Sequence, residues 1–158
     1  MHILAIEEYG LRCLIQVAQR GPDQTITTPE IARAEGIGPE YAAKILRTLR
    51  EGGLVISTRG AAGGYRLSRP ASEITVRQAI AVLGGEIFPA GFCDCHPGRR
   101  RDCVHATNCS VRALWRNVKG MLSRALDAIT LEDLCRDEAA TGAVLASEAD
   151  ARRDTLTS

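Results

Sequence analysis

The sequence predicts a mainly α-helical fold that carries one small two-stranded β element. Three observations carry the prediction. Apolar residues recur at helical spacing in several segments, the longest spanning Ser110 to Ile129. A single stretch reads as two short strands, Leu54–Thr58 and Gly64–Ser68, around the glycine-rich turn Arg59-Gly60-Ala61-Ala62-Gly63. Glycine, proline and threonine punctuate the boundaries between segments. The 158 residues suit one domain with a small appendage, and 45% hydrophobic content excludes a wholly disordered chain.

The elements follow in order. A first helix is expected from Ile3 to Arg20, with Leu4, Leu11, Leu14, Ile15 and Ala18 on its apolar side, ended by Gly21-Pro22-Asp23. Thr28 is the expected N-cap of a short second helix, Pro29 to Glu35. A third helix opens at Pro39 and runs to Glu51, with Tyr41, Ala42, Ile45, Leu46 and Leu49 inside and Glu40, Lys44, Arg47 and Arg50 outside. Gly52-Gly53 closes it. After the strand pair, Thr75-Val76-Arg77-Gln78 is a capping-box pattern for a fourth helix reaching Leu83. Residues 88–108 show no sustained periodicity and read as loop. In the long helix, Val111, Trp115, Val118, Leu122, Ala125 and Ile129 alternate by four and three, a heptad seam. Thr130-x-x-Asp133 opens a short last helix, and the small, polar residues from Ala139 to Ser158 read as a frayed tail.

Helix, helix, turn, helix, hairpin is the order of a winged helix-turn-helix. The expected division is residues 1–84 as the winged domain and 85–109 as a cysteine-rich loop. Residues 110–138 follow as long helix plus short helix, and 139–158 as tail. A net charge of +1 hides an uneven distribution. From Tyr41 to Arg69 there are six basic residues and one acid, whereas Asp127 to Asp154 holds eight acids and three arginines. A basic segment of that kind predicts a polyanion-binding surface. The third helix can enter a major groove with Lys44, Arg47 and Arg50, and the glycine-rich turn can bring Arg59 into a minor groove. The candidate DNA contacts are Thr28, Pro39, Tyr41, Lys44, Arg47, Arg50, Arg59, Gly60, Gly63, Gly64 and Tyr65.

Other classes are excluded or disfavoured. No run approaches the roughly 20 apolar residues of a membrane span. The start, Met1-His2-Ile3-Leu4-Ala5-Ile6-Glu7-Glu8, lacks the basic lead of a signal peptide, so a cytoplasmic chain is expected. No nucleophile–base motif or phosphate loop appears, so neither an enzyme nor a small-molecule substrate is expected. A winged module that binds protein rather than DNA is the competing class, and the basic third helix argues against it.

Six cysteines beside six aromatic residues is unusual. Cys93, Cys95, His96, Cys103, His105 and Cys109 place four thiols and two imidazoles within seventeen positions. Thiolates hold iron–sulfur clusters and zinc alike, and reduced or disulfide-forming cysteines fit the same residues. Arg99, Arg100 and Arg101 in the same loop favour thiolates. Cys13 and Cys135 read as small buried hydrophobes.

Leu46-Arg47-Thr48-Leu49-Arg50-Glu51-Gly52-Gly53-Leu54-Val55, followed by Arg59-Gly60-Ala61-Ala62-Gly63-Gly64-Tyr65-Arg66-Leu67, resembles the recognition helix and wing of the Rrf-two-type (IscR- and NsrR-like) bacterial transcription regulators. The resemblance runs from Ile3 to Leu134. It implies a homodimer on double-stranded DNA, joined through the heptad-seam helix, with an iron–sulfur cluster, 2Fe-2S or 4Fe-4S, in the loop. The family pattern of three cysteines separated by five residues matches Cys103 and Cys109, while the first position falls on Pro97. Cys93 or Cys95 stands in for it. The histidine that IscR-like members place three residues after the last cysteine is Arg112 here. The resemblance therefore implies Cys93, Cys103 and Cys109 as ligands, with a fourth from an acidic residue near the start of the partner's first helix, where Glu7 and Glu8 stand and Glu8 is taken, or from Cys95, His96 or His105.

Overall fold

The computed structural model describes residues 4–60, 63–85, 105, 108–144 and 146. Helix α1 (Ala5–Gln19) begins where the Glu7 carboxylate accepts the Leu4 N–H at 2.7 Å, and it buries Cys13, Leu14 and Val17. Helix α2 (Thr28–Glu35) is capped by Thr27, not by the expected Thr28. The reason is the reciprocal box: Glu30 lies three residues after Thr27 and accepts from its N–H at 2.8 Å and its hydroxyl at 2.7 Å. Thr28 has Ile31 at that offset and no such partner.

Helix α3 (Pro39–Glu51) starts on its proline, buries Ala42, Ile45, Leu46 and Leu49, and closes through Gly53 at φ +72°. Strands β1 (Val55–Thr58) and β2 (Gly64–Leu67) pair antiparallel, Val55 opposite Leu67 and Thr58 opposite Gly64. Tyr65 also exchanges two backbone hydrogen bonds with Ile26, at 3.0 and 2.9 Å, which ties the hairpin root to the segment before α2. A 3-10 turn (Ala71–Glu73) leads to α4 (Val76–Leu83), capped by Thr75 and Gln78 as expected. Helices α5 (Ser110–Asp127) and α6 (Leu131–Leu134) follow.

The core gathers Leu14, Ile31, Ile45, Leu46, Leu49, Leu54, Val55 and Ile74, with Leu131 of α6 packed among them at 2% exposure. At about 1.5–3 kcal/mol per buried aliphatic side chain, this cluster is the main stabiliser of the winged body. Backbone bonds from Val76 to Ile129 (2.9 Å) and from Leu131 to Ile74 (2.8 Å) stitch the end of α5 to the start of α4. Arg77 pairs with Asp127 at 2.6 Å across the same junction.

Two expectations are corrected here. Ile129 is not part of an exposed seam: α5 ends at Asp127, and Ile129 is buried at 8% exposure in the chain's own core. The tail does not begin at Ala139, because residues 138–144 are helical. Asp137 caps them by accepting the Ala140 N–H at 2.8 Å. Among the described residues no helix is long and apolar enough to cross a membrane.

Candidate nucleic-acid interface

The inner row of α3 fixes its outer row. Because Ala42, Ile45, Leu46 and Leu49 are fully buried, the helical period turns Glu40, Lys44, Arg47 and Arg50 to solvent, and all four are exposed. Pro39, the first residue of the helix, is exposed beside them. Tyr41 is half-buried instead, its ring meeting that of Tyr9 edge-on with centroids 6.1 Å apart. Thr28 is half-buried in the first turn of α2.

The wing presents Arg59 at its tip, exposed, followed by Gly60 at φ +109°. That conformation suits only glycine, and it lets the Gly60 carbonyl accept the Gly63 N–H at 2.8 Å. Gly64 is required by close approach: a Cβ there would lie 2.7 Å from the Ile26 carbonyl oxygen. Tyr65 packs half-buried on the core. The structure thus brings Pro39, Lys44, Arg47, Arg50 and Arg59 to the surface as cationic or open positions, while Thr28, Tyr41 and Tyr65 are partly inside.

Of the candidate cluster ligands, Glu8, His105 and Cys109 are described; Cys93, Cys95, His96 and Cys103 lie outside the described residues. Cys109 is the N-cap of α5, half-buried, its sulfur accepting the Arg112 N–H at 3.4 Å. An amide aimed at sulfur stabilises a ligating thiolate, so the donor chemistry at this position fits a cluster. His105 is exposed. Glu8 is exposed and paired with Arg12 at 2.6 Å, whereas Glu7 is buried and committed to the α1 start. Among the described residues no three His, Cys, Asp or Glu side chains converge on one point.

Burial, with Glu35 adding to it, pushes the Cys13 thiol up to about 12, and burial raises that of Cys135. Neither is poised for chemistry. Sequence reading missed the Arg77–Asp127 pair, whose partners stand 50 positions apart and share no local pattern. It also missed the capping role of Cys109, for which the signal was available: the cysteine immediately precedes the first helical residue.

Comparison with known proteins agrees with this architecture. Residues 6–137 match the model of the Rrf2 family, described as an iron-dependent transcriptional regulator. Protein rrf2 of Nitratidesulfovibrio vulgaris is 32% identical over 137 residues, spanning 87% of this chain and 89% of that protein. The HTH-type transcriptional regulator IscR of Vibrio atlanticus is also 32% identical, over 87% of this chain and 76% of its own length. The solved structure of CymR, the global cysteine regulator of B. subtilis, superposes with a TM-score of 0.71 at 30% identity, covering 85% of this chain and 96% of that one. With its exposed basic helix, its arginine-tipped wing and these relatives, the chain belongs to the Rrf2 family of DNA-binding transcription regulators and is not an enzyme.

Proposed function

We propose that the protein acts as a homodimer that sets two α3 helices in successive major grooves, with each Arg59 in the flanking minor groove. The observation that carries this reading is the outer row of α3, three exposed cations backed by a fully buried inner row. Lys44, Arg47 and Arg50 contact phosphates and guanine edges; Pro39 and Gly60 admit close backbone approach. Thr28, Tyr41, Gly63, Gly64 and Tyr65 support these contacts from half-buried positions. The partner helices join along Val111, Trp115, Val118, Leu122 and Ala125.

We further propose that Cys93, Cys103 and Cys109 hold an iron–sulfur cluster, with Glu8 of the partner subunit, Cys95, His96 or His105 completing the set. Support comes from the cysteine spacing, the iron-dependent family description and the amide directed at the Cys109 sulfur. When bound, the cluster supplies a centre that responds to redox state and to small reactive molecules. Cys109 fixes one end of α5, and the stitch at residues 129–131 fixes the other end to the winged body. A change at the loop is thereby transmitted as a change in the angle between the two α3 helices. A two-state bias of about 2–3 kcal/mol changes operator affinity some thirty- to hundred-fold.

The test is anaerobic reconstitution with iron and sulfide of wild type, Cys103→Ala and Cys109→Ala, followed by gel shift against the gene's own upstream DNA. Each variant is expected to lose its cluster absorbance and iron count. Full cluster uptake by both variants removes the ligand assignment. A second reading, a thiol switch in a reducing cytosol, is favoured by the likeness to a cysteine regulator. It is supported if oxidant alters DNA affinity in protein that takes up no iron.

A further inference from the structure

The outward row of α3 carries an acid at each end, Glu40 in its first turn and Glu51 as its last residue, and only Glu40 lies at the end that leads into a groove. Glu40 is the second residue of the helix, exposed, one turn ahead of Lys44 and two ahead of Arg47. An acid four residues before a lysine ordinarily pairs with it. Here, among the described residues, neither side chain has an ion pair or a side-chain hydrogen bond. The carboxylate therefore stands free at the leading end of the helix, where a recognition helix meets base edges.

A free carboxylate on this face opposes binding to every duplex, because the phosphates repel it and its charge offsets one of the cations behind it. It favours binding only where a base offers a donor. Guanine presents acceptors at N7 and O6, thymine an acceptor at O4, and adenine an acceptor at N7 beside its amino group. Cytosine alone presents its N4 amino donor with no neighbouring acceptor on the same base. We propose that Glu40 is a specificity-determining residue that reads a cytosine at one position of each half-site, its carboxylate accepting from the N4 amino group. The inference rests on the reading of α3 as the major-groove helix. A purely structural role is the alternative, since an acid in the first turn complements the helix dipole. Such a role lowers affinity for all sequences alike when removed and leaves base preference untouched.

The two roles separate in a site selection from randomised duplexes with the full-length protein, its Glu40→Ala variant and its Glu40→Gln variant. Wild type is expected to fix cytosine at one position per half-site. Glu40→Ala keeps every other position and loses that one, with discrimination falling roughly 5- to 150-fold. Its binding to unselected DNA is equal or tighter. Glu40→Gln moves the same position toward adenine, the base a carboxamide reads. The proposal is overturned if all three proteins select the same sites, if Glu40→Ala weakens every sequence equally, or if the dependent position is not cytosine. If wild type selects no sequence at all, the DNA-binding reading falls with it. Identical selection by wild type and Glu40→Ala removes the role of Glu40 alone.

Discussion

Arg59 stands exposed at the tip of the wing, where the proposed minor-groove contact is made. The glycine after it frees the backbone, and the exposed guanidinium has no acid partner among the described residues. Arg59→Ala is expected to weaken duplex binding and to flatten the dependence of log affinity on log salt by about one unit. Titrations at several salt concentrations check this; an unchanged slope and affinity remove the wing contact. Cys13 behaves in the opposite way. Its thiol, pushed to about 12 by burial, stays protonated below that range, so it adds stability that is lost as pH rises past the ordinary thiol range toward 12. It is expected to resist iodoacetamide in the native protein at pH 8 and to react once the chain is unfolded, read by mass spectrometry. At this scale the two sides of α3 were legible, its cations outside and its aliphatic residues inside, while the depth of the two tyrosines was not. Tyr41 and Tyr65 carry polar tips that suit DNA, yet each ring has apolar neighbours that draw it half inside. Only the packed structure decides between the two.

Helix starts were the most legible elements, because a capping box is a local device with a fixed spacing. Thr75–Gln78 and Thr130–Asp133 form as the sequence predicts, and the single displaced cap, Thr27 for Thr28, follows the same rule once Glu30 is counted. Hydrogen bonds from the Thr27 hydroxyl and N–H hold the Glu30 carboxyl below its usual range, and Thr130 does the same for Asp133. A carboxyl lowered in the folded state stabilises the protein above the ordinary carboxylate range. That contribution is lost as pH falls through the lowered value. The melting temperature is therefore expected to drop on acidification below about pH 4, and less steeply in Glu30→Gln, which keeps the box without the charge. Thr27→Ala is expected to cost about 1 kcal/mol at neutral pH. Equal pH profiles for wild type and Glu30→Gln contradict the account. The ends of α2, α3 and α4 fall at Glu35, Glu51 and Leu83 as the sequence predicts, but the end of α5 was not legible: the seam periodicity ran on to Ile129, and no spacing rule announces that the backbone turns after Asp127.

At the scale of the whole molecule the outstanding feature is α5, an 18-residue helix with no buried residue. Val111, Leu114 and Met121 are each more than half exposed, and Trp115 is 39% exposed. A contiguous apolar face of that kind is costly to leave in water, which supports the proposal that it joins two copies. Wild type is expected to sediment at twice 17.0 kDa, and Trp115→Glu to shift toward monomer and lose cooperative DNA binding. A wild-type mass of 17.0 kDa at every concentration contradicts the dimer. The helical body and wing were legible because each rests on local periodicity and turn chemistry. The junction between body and α5 was not, since it depends on the long-range Arg77–Asp127 pair and on backbone bonds between residues some fifty-five positions apart.

The burial of Leu131 has a consequence for how the chain is made. Leu131 seals the same core that positions α3, and its N–H closes onto Ile74. A nascent chain that has emerged only as far as α5 therefore lacks a wall of that core. A missing aliphatic side chain there costs about 2–5 kcal/mol, a large share of the roughly 5–15 kcal/mol that holds a domain together. The body reaches full stability only after residue 131 has left the ribosome, by which time the cysteine loop and the joining helix have already been synthesised. A chain cut before residue 131 is therefore expected to hold the winged body, and with it α3, less firmly than the full chain does.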